Sequence, residues 1–428
     1  MGRLGWLLLA MVFGALGAAC TVAAPTASTP HAPNRIAYVG GDDHIYVLAV
    51  EGGDPRRVDN LPGEAVRANE IRRSRQPTWS PDGSRLAFMR LRSGEGNAPG
   101  NAAMWVVQPD GSGLSRLWET RDQFPIYMSW SPDGSRLGLL VQEQGEIVLL
   151  LVDAAGNGQP RQIASGDGGP LYFSWSPDGS EILVHTGGSR RANARADLAF
   201  VGTDVQATRR TFGDLPADFR APAWSLDGKQ VAVVAEGPDN SALISVGDAQ
   251  GSTRTRLASL NDEVSFLLSP DGGRLAFSSR VSADRIFYQG LEVIQRDGSD
   301  RVQVTDQPVM AFFWSPDGKK LAYAAADRQA QALVWYVADA AGKASKRVGA
   351  FVPSQEQLRL YLFFDQFAQS HATWTPDSRH LVYAGNPPGS GEARGSRVYL
   401  APADGSSEPR VVADGALALL PAKAGAGK

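Results

Sequence analysis

The chain has 428 residues, of which 43% are hydrophobic, so it is long enough to bury a large core. Its 42 Lys and Arg residues nearly balance its 45 Asp and Glu residues, which argues against nucleic acid or another strongly charged polymer as the main partner. The 47 glycines are more than an average protein of this length has, as a fold with many tight turns requires.

The N-terminus has the pattern of a secretory signal over residues 1–19. Arg3 supplies a positive charge, an apolar stretch covers residues 4–16, and small residues then lead to Cys20, the only cysteine. This ending resembles the lipobox of bacterial lipoproteins, in which the signal is cut before the cysteine. The resemblance implies covalent diacylglycerol on Cys20, and we predict no other cofactor. Ordinary signal-peptidase cleavage after Ala24 is the alternative.

The next segment, up to residue 34, is rich in Ala, Pro, Thr and Ser and has no apolar period. We therefore predict a lipidated cysteine and flexible tether over 20–34, a folded body over 35–420 and a disordered tail over 421–428. A lipid anchor followed by such a tether would hold the body on the extracytoplasmic side of a bacterial membrane, either periplasmic or at the cell surface.

Three short strands are predicted to open the folded body, over residues 35–39, 44–50 and 55–58, joined by glycine-rich turns. Each later repeat begins with one further strand, which this first group lacks. Residues 415–420, near the other end of the chain, form a short apolar segment. We expect that segment to supply the missing strand and so to remove an open sheet edge.

The phrase Trp314-Ser-Pro-Asp-Gly-Lys-Lys-Leu-Ala-Tyr323 is written seven times with small variations. Successive copies start 51, 45, 49, 44, 46 and 60 residues apart. A period near 45 residues with a fixed turn phrase is typical of a β-propeller with one blade per repeat. We predict an all-β propeller of four-stranded antiparallel blades, eight in number, with its ring closed by the N- and C-terminal strands. Seven blades is the alternative.

The repeated aspartates could form a ring of carboxylates or could serve as turn residues. In a Ser-Pro-Asp-Gly turn, Pro presets φ, Asp tolerates the third position and Gly supplies the positive φ that closes a hairpin. We interpret all of them as turn residues: Asp82, Asp133, Asp178, Asp227, Asp271, Asp317 and Asp377.

These turn phrases, together with the Asp-Gly hairpins that follow them, resemble the TolB-type (PD40, WD40-like) β-propeller family. The resemblance covers residues 35–420. It implies the propeller fold, a place in the cell envelope and binding of protein or peptide partners. Members of the TolB type carry an α/β domain before the propeller and have fewer blades, so the role of TolB itself is not implied.

No catalytic constellation is recognisable. The Gly-x-Ser-x-Gly motif of serine hydrolases does not occur, so we exclude a serine peptidase. The five histidines lack metal-binding spacing, and we predict neither catalytic residues nor a metal site. We expect a monomeric, non-catalytic scaffold that binds a protein, a peptide or an envelope polysaccharide, and no nucleic acid. A propeller enzyme with its site in the central funnel, of the glycan lyase, lactonase or quinone-dependent dehydrogenase type, is the alternative.

The Ser-Pro-Asp-Gly turns mark one face of the propeller, and the long connections fall on the opposite face, which we call the long-loop face. Loops that vary in length are where binding residues concentrate. We predict that residues 61–76 form a loop, either simply solvated or an anion-facing rim, with Arg67, Arg72, Arg73 and Arg75 as binding candidates. The apolar segment 352–370 either folds back onto the propeller or contacts a partner, with Tyr361, Phe363, Phe364 and Phe367 as binding candidates.

Overall fold

Strands make up nearly all of the regular structure in the computed structural model, which confirms the all-β prediction. They pair in antiparallel fashion, nearly always with the next strand along the chain. The residues that the structure describes are 34–61, 72–92, 101–166, 168–188, 195–206, 208–217, 220–237, 241–250, 254–260, 263–280, 286–390 and 395–422. The predicted signal, Cys20 and Arg67 lie outside these residues, as does most of the predicted tail.

The first sheet joins the two ends of the folded body. It contains β1 (Arg35–Val39), β2 (Ile45–Ala49), β3 (Arg56–Arg57) and β30 (Leu417–Leu419), in the order β3-β2-β1-β30. The last of these strands pairs antiparallel with β1 from Ala37 to Val39. The apolar segment near the C-terminus therefore provides the strand that the first group lacked.

Four further sheets have four strands each, in the orders β4-β5-β6-β7, β11-β10-β9-β8, β12-β13-β14-β15 and β16-β17-β18-β19. Their strands are β4 (Arg72–Trp79), β5 (Leu86–Arg92), β6 (Asn101–Val107), β7 (Ser115–Thr120), β8 (Gln123–Trp130), β9 (Arg136–Glu143), β10 (Glu146–Asp153), β11 (Arg161–Ser165), β12 (Leu171–Trp175), β13 (Glu181–Thr186), β14 (Asp197–Gly202), β15 (Arg209–Thr211), β16 (Ala223–Trp224), β17 (Gln230–Glu236), β18 (Ala242–Asp248) and β19 (Arg254–Leu260).

The remaining ten strands form one continuous sheet in chain order. They are β20 (Glu263–Leu268), β21 (Arg274–Arg280), β22 (Tyr288–Gln295), β23 (Val302–Trp314), β24 (Lys320–Asp327), β25 (Ala332–Asp339), β26 (Ser345–Pro353), β27 (His380–Asn386), β28 (Arg397–Pro402) and β29 (Arg410–Asp414). The long β23 links two groups of strands, since its first half pairs with β22 and its second half with β24. In the same way the end of β26 pairs with β27.

The repeated aspartates are turn residues, as the sequence predicted. Asp133 Oδ1 accepts hydrogen bonds from the Ser131 hydroxyl at 2.6 Å and from the Ser135 amide at 3.0 Å. The same two bonds, from the hydroxyl two residues before and the amide two residues after, recur in all seven copies. Even the copy that has Ser378 instead of glycine keeps a positive φ there, at 59°.

The tryptophan of the phrase has a role that the sequence did not reveal, because it joins neighbouring sheets. The Trp130 indole donates to the Thr78 carbonyl at 3.0 Å, and the Trp224 indole on β16 donates to the Ser174 carbonyl on β12 at 3.3 Å. Each bond runs from the first strand of one repeat to the first strand of the repeat before it. The Arg85 guanidinium lies 4.8 Å from the centre of the Trp130 ring and extends this connection.

Two short helices interrupt the strands between β26 and β27. They are α1 (Gln355–Leu362) and α2 (Phe364–Phe367). Neither of these helices, the only ones in the described part of the chain, is long and apolar enough to cross a membrane.

Candidate functional site

The segment from residue 354 to 371, which we call the plug, contains both helices. Ser354 caps α1, since its side chain accepts a hydrogen bond from the Gln357 amide at 3.0 Å. After Leu362 the chain breaks out of the helix at Phe363, and α2 follows directly. Most of the apolar segment 352–370 is therefore helical.

The plug packs against strands from many repeats. Helix α1 contacts β23, β26, β27 and β30, and α2 contacts β12 and β20. Its hydrogen bonds reach further strands, because the Thr78 hydroxyl on β4 donates to the Ser370 carbonyl at 3.2 Å. On β8, the Tyr127 hydroxyl donates to the Gln366 carbonyl at 3.2 Å. A segment in contact with so many first strands lies where those strands converge.

Aromatic packing anchors the plug. Tyr361, Phe364 and Phe367 follow one another at three-residue spacing and are all buried. The ring of Phe364 lies 4.6 Å from the ring of Phe312 on β23, and the ring of Phe367 lies 5.1 Å from that of Tyr127 on β8. Burying a side chain of this size stabilises a fold by roughly 2–3 kcal/mol relative to exposure, so the helices are held firmly in place.

A buried charge cluster fixes the other side of α2. Asp365 accepts a hydrogen bond from the Ala221 amide at 3.1 Å. Burial raises the pKa of this carboxyl, and the nearby Arg220 guanidinium opposes that rise. Arg220 in turn donates to Glu263, the first residue of β20. The cluster therefore ties α2 to two neighbouring repeats.

Ser370 and His371 lie at the end of the plug in an arrangement that superficially suggests catalysis. The Ser370 hydroxyl is 2.7 Å from His371 Nδ1 and 2.7 Å from the Tyr127 hydroxyl. A nucleophile and its base need access to substrate and a usefully basic imidazole. Both residues are buried, and burial lowers the pKa of His371 to about 3. We therefore interpret the pair as structural.

The predicted aromatic binding residues separate into two groups. Because Tyr361, Phe364 and Phe367 form the packing that holds the plug, they present no surface to a partner in this conformation. Phe363 differs, since it is 44% exposed, and its neighbour Leu362 is 37% exposed. The segment thus folds back onto the strands and leaves one apolar tip in solvent.

The predicted loop over residues 61–76 requires correction, since residues 72–76 belong to strand β4. Arg75 pairs with Asp43 at 2.9 Å and with Glu356 of α1 at 3.6 Å, and Arg73 pairs with Asp43 at 3.3 Å. Arg72 is partly buried on the same strand. These carboxylates compensate Arg73 and Arg75, and Arg75 joins the plug to the first sheet.

Two more exposed hydrophobic residues help to define the faces. Phe124, at the start of β8, is 60% exposed and lies at the end of its strand away from the Ser-Pro-Asp-Gly turn. Leu226, within the turn between β16 and β17, is 59% exposed at the opposite end.

Within the described residues, no three His, Cys, Asp or Glu side chains group as metal ligands.

Comparison by sequence gives no family. No protein-family model matches the chain. No curated protein matches it either.

Comparison by structure gives relatives of the fold. The chain is similar to the dihydro-heme d1 dehydrogenase NirN in complex with DHE, with 16% identity, a TM-score of 0.55, and 92% of this chain and 76% of that chain covered. It is similar to TolB from Acinetobacter baumannii, with 18% identity, a TM-score of 0.37 and only 62% of each chain covered. The β-propeller domain of the Trilobed protease from Pyrococcus furiosus matches with 12% identity, a TM-score of 0.47, and 80% of this chain and 96% of that chain covered. Its structural neighbours thus include TolB and a propeller domain, and at these identities the likeness concerns the fold alone.

Proposed function

We propose that this chain is a membrane-tethered, extracytoplasmic β-propeller that binds a protein or peptide through its long-loop face and performs no catalysis. The observation that carries the proposal is the plug. The chain's own helices lie where the first strands converge, which is the place that a funnel enzyme would keep for its substrate. Binding is left to the surface around the plug, where Leu362 and Phe363 are exposed.

The finer architecture belongs to the same proposal. Each of the five four-stranded sheets is one blade and the ten-stranded sheet is three, which makes eight blades, and the strand Leu417–Leu419 in the first sheet closes the ring. The pairing of β30 with β1 supports this closure, and the shared strands β23 and β26 are consistent with blades that follow one another directly. Such a molecule is a monomer, binds no nucleic acid, and could recognise an envelope polysaccharide through the same face.

Photo-crosslinking in cells tests the binding face. A photoreactive phenylalanine analogue replaces Phe363 or Phe124 on the long-loop face, and Leu226 on the opposite face as a control of similar exposure. Specific crosslinked partners from the first two positions, and none from the third, would support the proposal. Partners recovered only from position 226 would overturn it.

The tether is tested separately. Cys20→Ala removes the proposed lipid attachment site without touching the folded body. The variant should move from the membrane fraction to the soluble fraction while its crosslinking pattern is retained. Equal membrane association of variant and wild type would show that Cys20 does not carry the anchor.

A further inference from the structure

A cleft of about 400 Å³ opens where the first and last strands of the folded body come together. Tyr38, Asp42, Tyr46, Pro55 and Asp414 line it. The loop that carries Asp42 joins β1 to β2, at the end of β1 that lies away from the short turns. The cleft is therefore part of the long-loop face, at a place that the sequence did not indicate.

Two tyrosines form its floor. The rings of Tyr38 and Tyr46 are stacked with their centres 5.3 Å apart and an angle of 16° between their planes. The Tyr46 hydroxyl donates to Asp42 Oδ2 at 2.7 Å. Tyr38 is only 4% exposed, yet its hydroxyl has no hydrogen bond to any described residue. The side chain is thus packed into the sheet, and its hydroxyl is the polar group that it presents to the cleft.

The charge in the cleft is negative. Asp42 and Asp414 are both exposed, and neither forms an ion pair within the described residues. Burial raises the pKa of Tyr38 to about 12, and the neighbouring Tyr46, Asp42 and Asp414 add to this effect. Arg397 pairs in register with Asp414 across β28 and β29 without a salt bridge between their side chains. The carboxylates are thus available to a cation from outside.

The loop is built to hold Asp42 against the aromatic pair. A Cβ atom added at Gly40 would lie 2.6 Å from Asp42 Oδ1 and 2.8 Å from Tyr46 Cε2. Only glycine leaves room for this approach of the carboxylate to the ring. A Cβ atom added at the neighbouring Gly41 would meet no atom within 4 Å, so the rim of the cleft is open.

Comparison with equivalent tyrosines shows what is particular to this pair. Tyr383 and Tyr399 stack at 5.3 Å and 16°, in the corresponding register of β27 and β28. Stacking is therefore a repeated packing device of these sheets. Tyr399 differs from Tyr46, its counterpart, because its hydroxyl is fully enclosed without a partner, whereas the Tyr46 hydroxyl donates to Asp42 in the cleft.

We propose that this cleft receives a lysine or arginine side chain of the bound protein or peptide. The cation would lie against the exposed part of the tyrosine pair, between the carboxylates of Asp42 and Asp414. Cation–π attraction and two carboxylates that have no ion pair within the described residues both favour an ammonium or guanidinium over a neutral group. This inference rests on the proposed function, since it names the kind of residue that the long-loop face recognises.

The test uses the purified chain with ¹³C-labelled tyrosine and two small probes. Nα-acetyl-lysine methylamide carries the cation, and Nα-acetyl-norleucine methylamide is the matched neutral probe. The lysine probe should shift the ring signals of Tyr38 and Tyr46 in a saturable, salt-sensitive manner. In Asp42→Asn or Asp414→Asn its affinity should fall roughly fivefold. Tyr399→Phe, the matched tyrosine control, should leave binding unchanged.

Equal shifts with the norleucine probe, or unchanged affinity in both aspartate variants, would overturn the inference. Since both aspartates are exposed, these variants are expected to fold, and the unchanged spectrum of the other tyrosines verifies that they do. The proposed function fails by a different result. If the lysine probe does not bind but crosslinks from position 363 persist, only the cleft is wrong.

Discussion

The side-chain amide of Gln366 takes the place of a neighbouring strand on Phe173. Its Oε1 accepts a hydrogen bond from the Phe173 amide at 3.0 Å, and its Nε2 donates to the Phe173 carbonyl at 2.9 Å. Phe173 belongs to β12, which is the edge strand of its sheet. Both of its backbone groups are thereby satisfied in a buried position. The plug therefore completes the hydrogen bonding of β12 at Phe173 as well as packing against the surrounding strands.

Replacing Gln366 should destabilise the fold markedly. Gln366→Leu keeps the volume of the side chain but leaves two buried backbone groups of Phe173 unpaired, which should cost about 2–4 kcal/mol of unfolding free energy. Urea denaturation measures the change. Gln369→Leu is the matched control, because the exposed Gln369 makes one bond, to the Pro222 carbonyl at 3.1 Å. Equal losses in the two variants would contradict the role given to Gln366.

The tryptophans of the repeated phrase offer a second matched comparison. Trp130→Phe removes the hydrogen bond to Thr78 and weakens the contact with Arg85, so it should cost about 1–3 kcal/mol. Trp175 stands at the same place in the next repeat, but its indole nitrogen is buried without a partner in the described part of the chain. Trp175→Phe should therefore lower the free energy of unfolding by less than Trp130→Phe does. Thermal denaturation of both variants tests this order, and the reverse order would show that the indole bond does not join the sheets.

The turn aspartates should contribute to acid sensitivity. Burial alone would raise the pKa of Asp133, but hydrogen bonds from Ser131 and Ser135 outweigh it and lower the pKa below the ordinary value of 3.8. Because the folded-state pKa is depressed, the contribution is present above pH 3.8 and is lost as the pH falls through the folded value. Asp133→Asn should therefore reduce the loss of stability on acidification. If Asp133→Asn and wild type lost the same stability on acidification, the Asp133 turn would not be a source of the acid sensitivity.

Buried His371 should make the stability of the fold depend on pH in a higher range than the turn aspartates do. Its pKa falls from 6.5 to about 3 in the folded chain because of burial. The unfolded chain therefore binds the extra proton first, and stability is lost as the pH drops below 6.5. From pH 7 to pH 5 the loss from this residue should be about 2 kcal/mol at most. His371→Asn should lose less over that interval and run parallel to wild type between pH 7 and 8. If the stabilities of variant and wild type ran parallel at all pH values, His371 would not be buried in its neutral form.

Much of the scaffold could be predicted because its signals are local. The Ser-Pro-Asp-Gly phrase contains its own turn chemistry, so the aspartates could be assigned to turns from neighbours two residues away. The short apolar segment that ends at Leu420 could be matched to the first strands because they lacked a partner. That pairing is observed between β30 and β1.

The position of the plug could not be predicted, because its partners are distant in sequence. Gln366 and Phe173 are 193 residues apart, and nothing near either of them indicates the other. The first part of strand β4, residues 72–76, was missed for a similar reason. Its polar run has the composition of a loop, but Ser74 is buried against Asp59 at 2.5 Å, and Arg90 on β5 reaches the same carboxylate at 3.0 Å. Such buried polar contacts are decided by the tertiary structure.

The central claim is that the plug is a fixed part of the core and closes the place where the first strands meet. Hydrogen–deuterium exchange of the purified chain tests it most directly, through peptides that cover residues 355–371. Their amides should exchange as slowly as those of β12 and β23, because the aromatic anchors and the Gln366 bonds must break first. Exchange of these amides as fast as that of exposed turns would contradict the claim and would reopen the centre to a substrate.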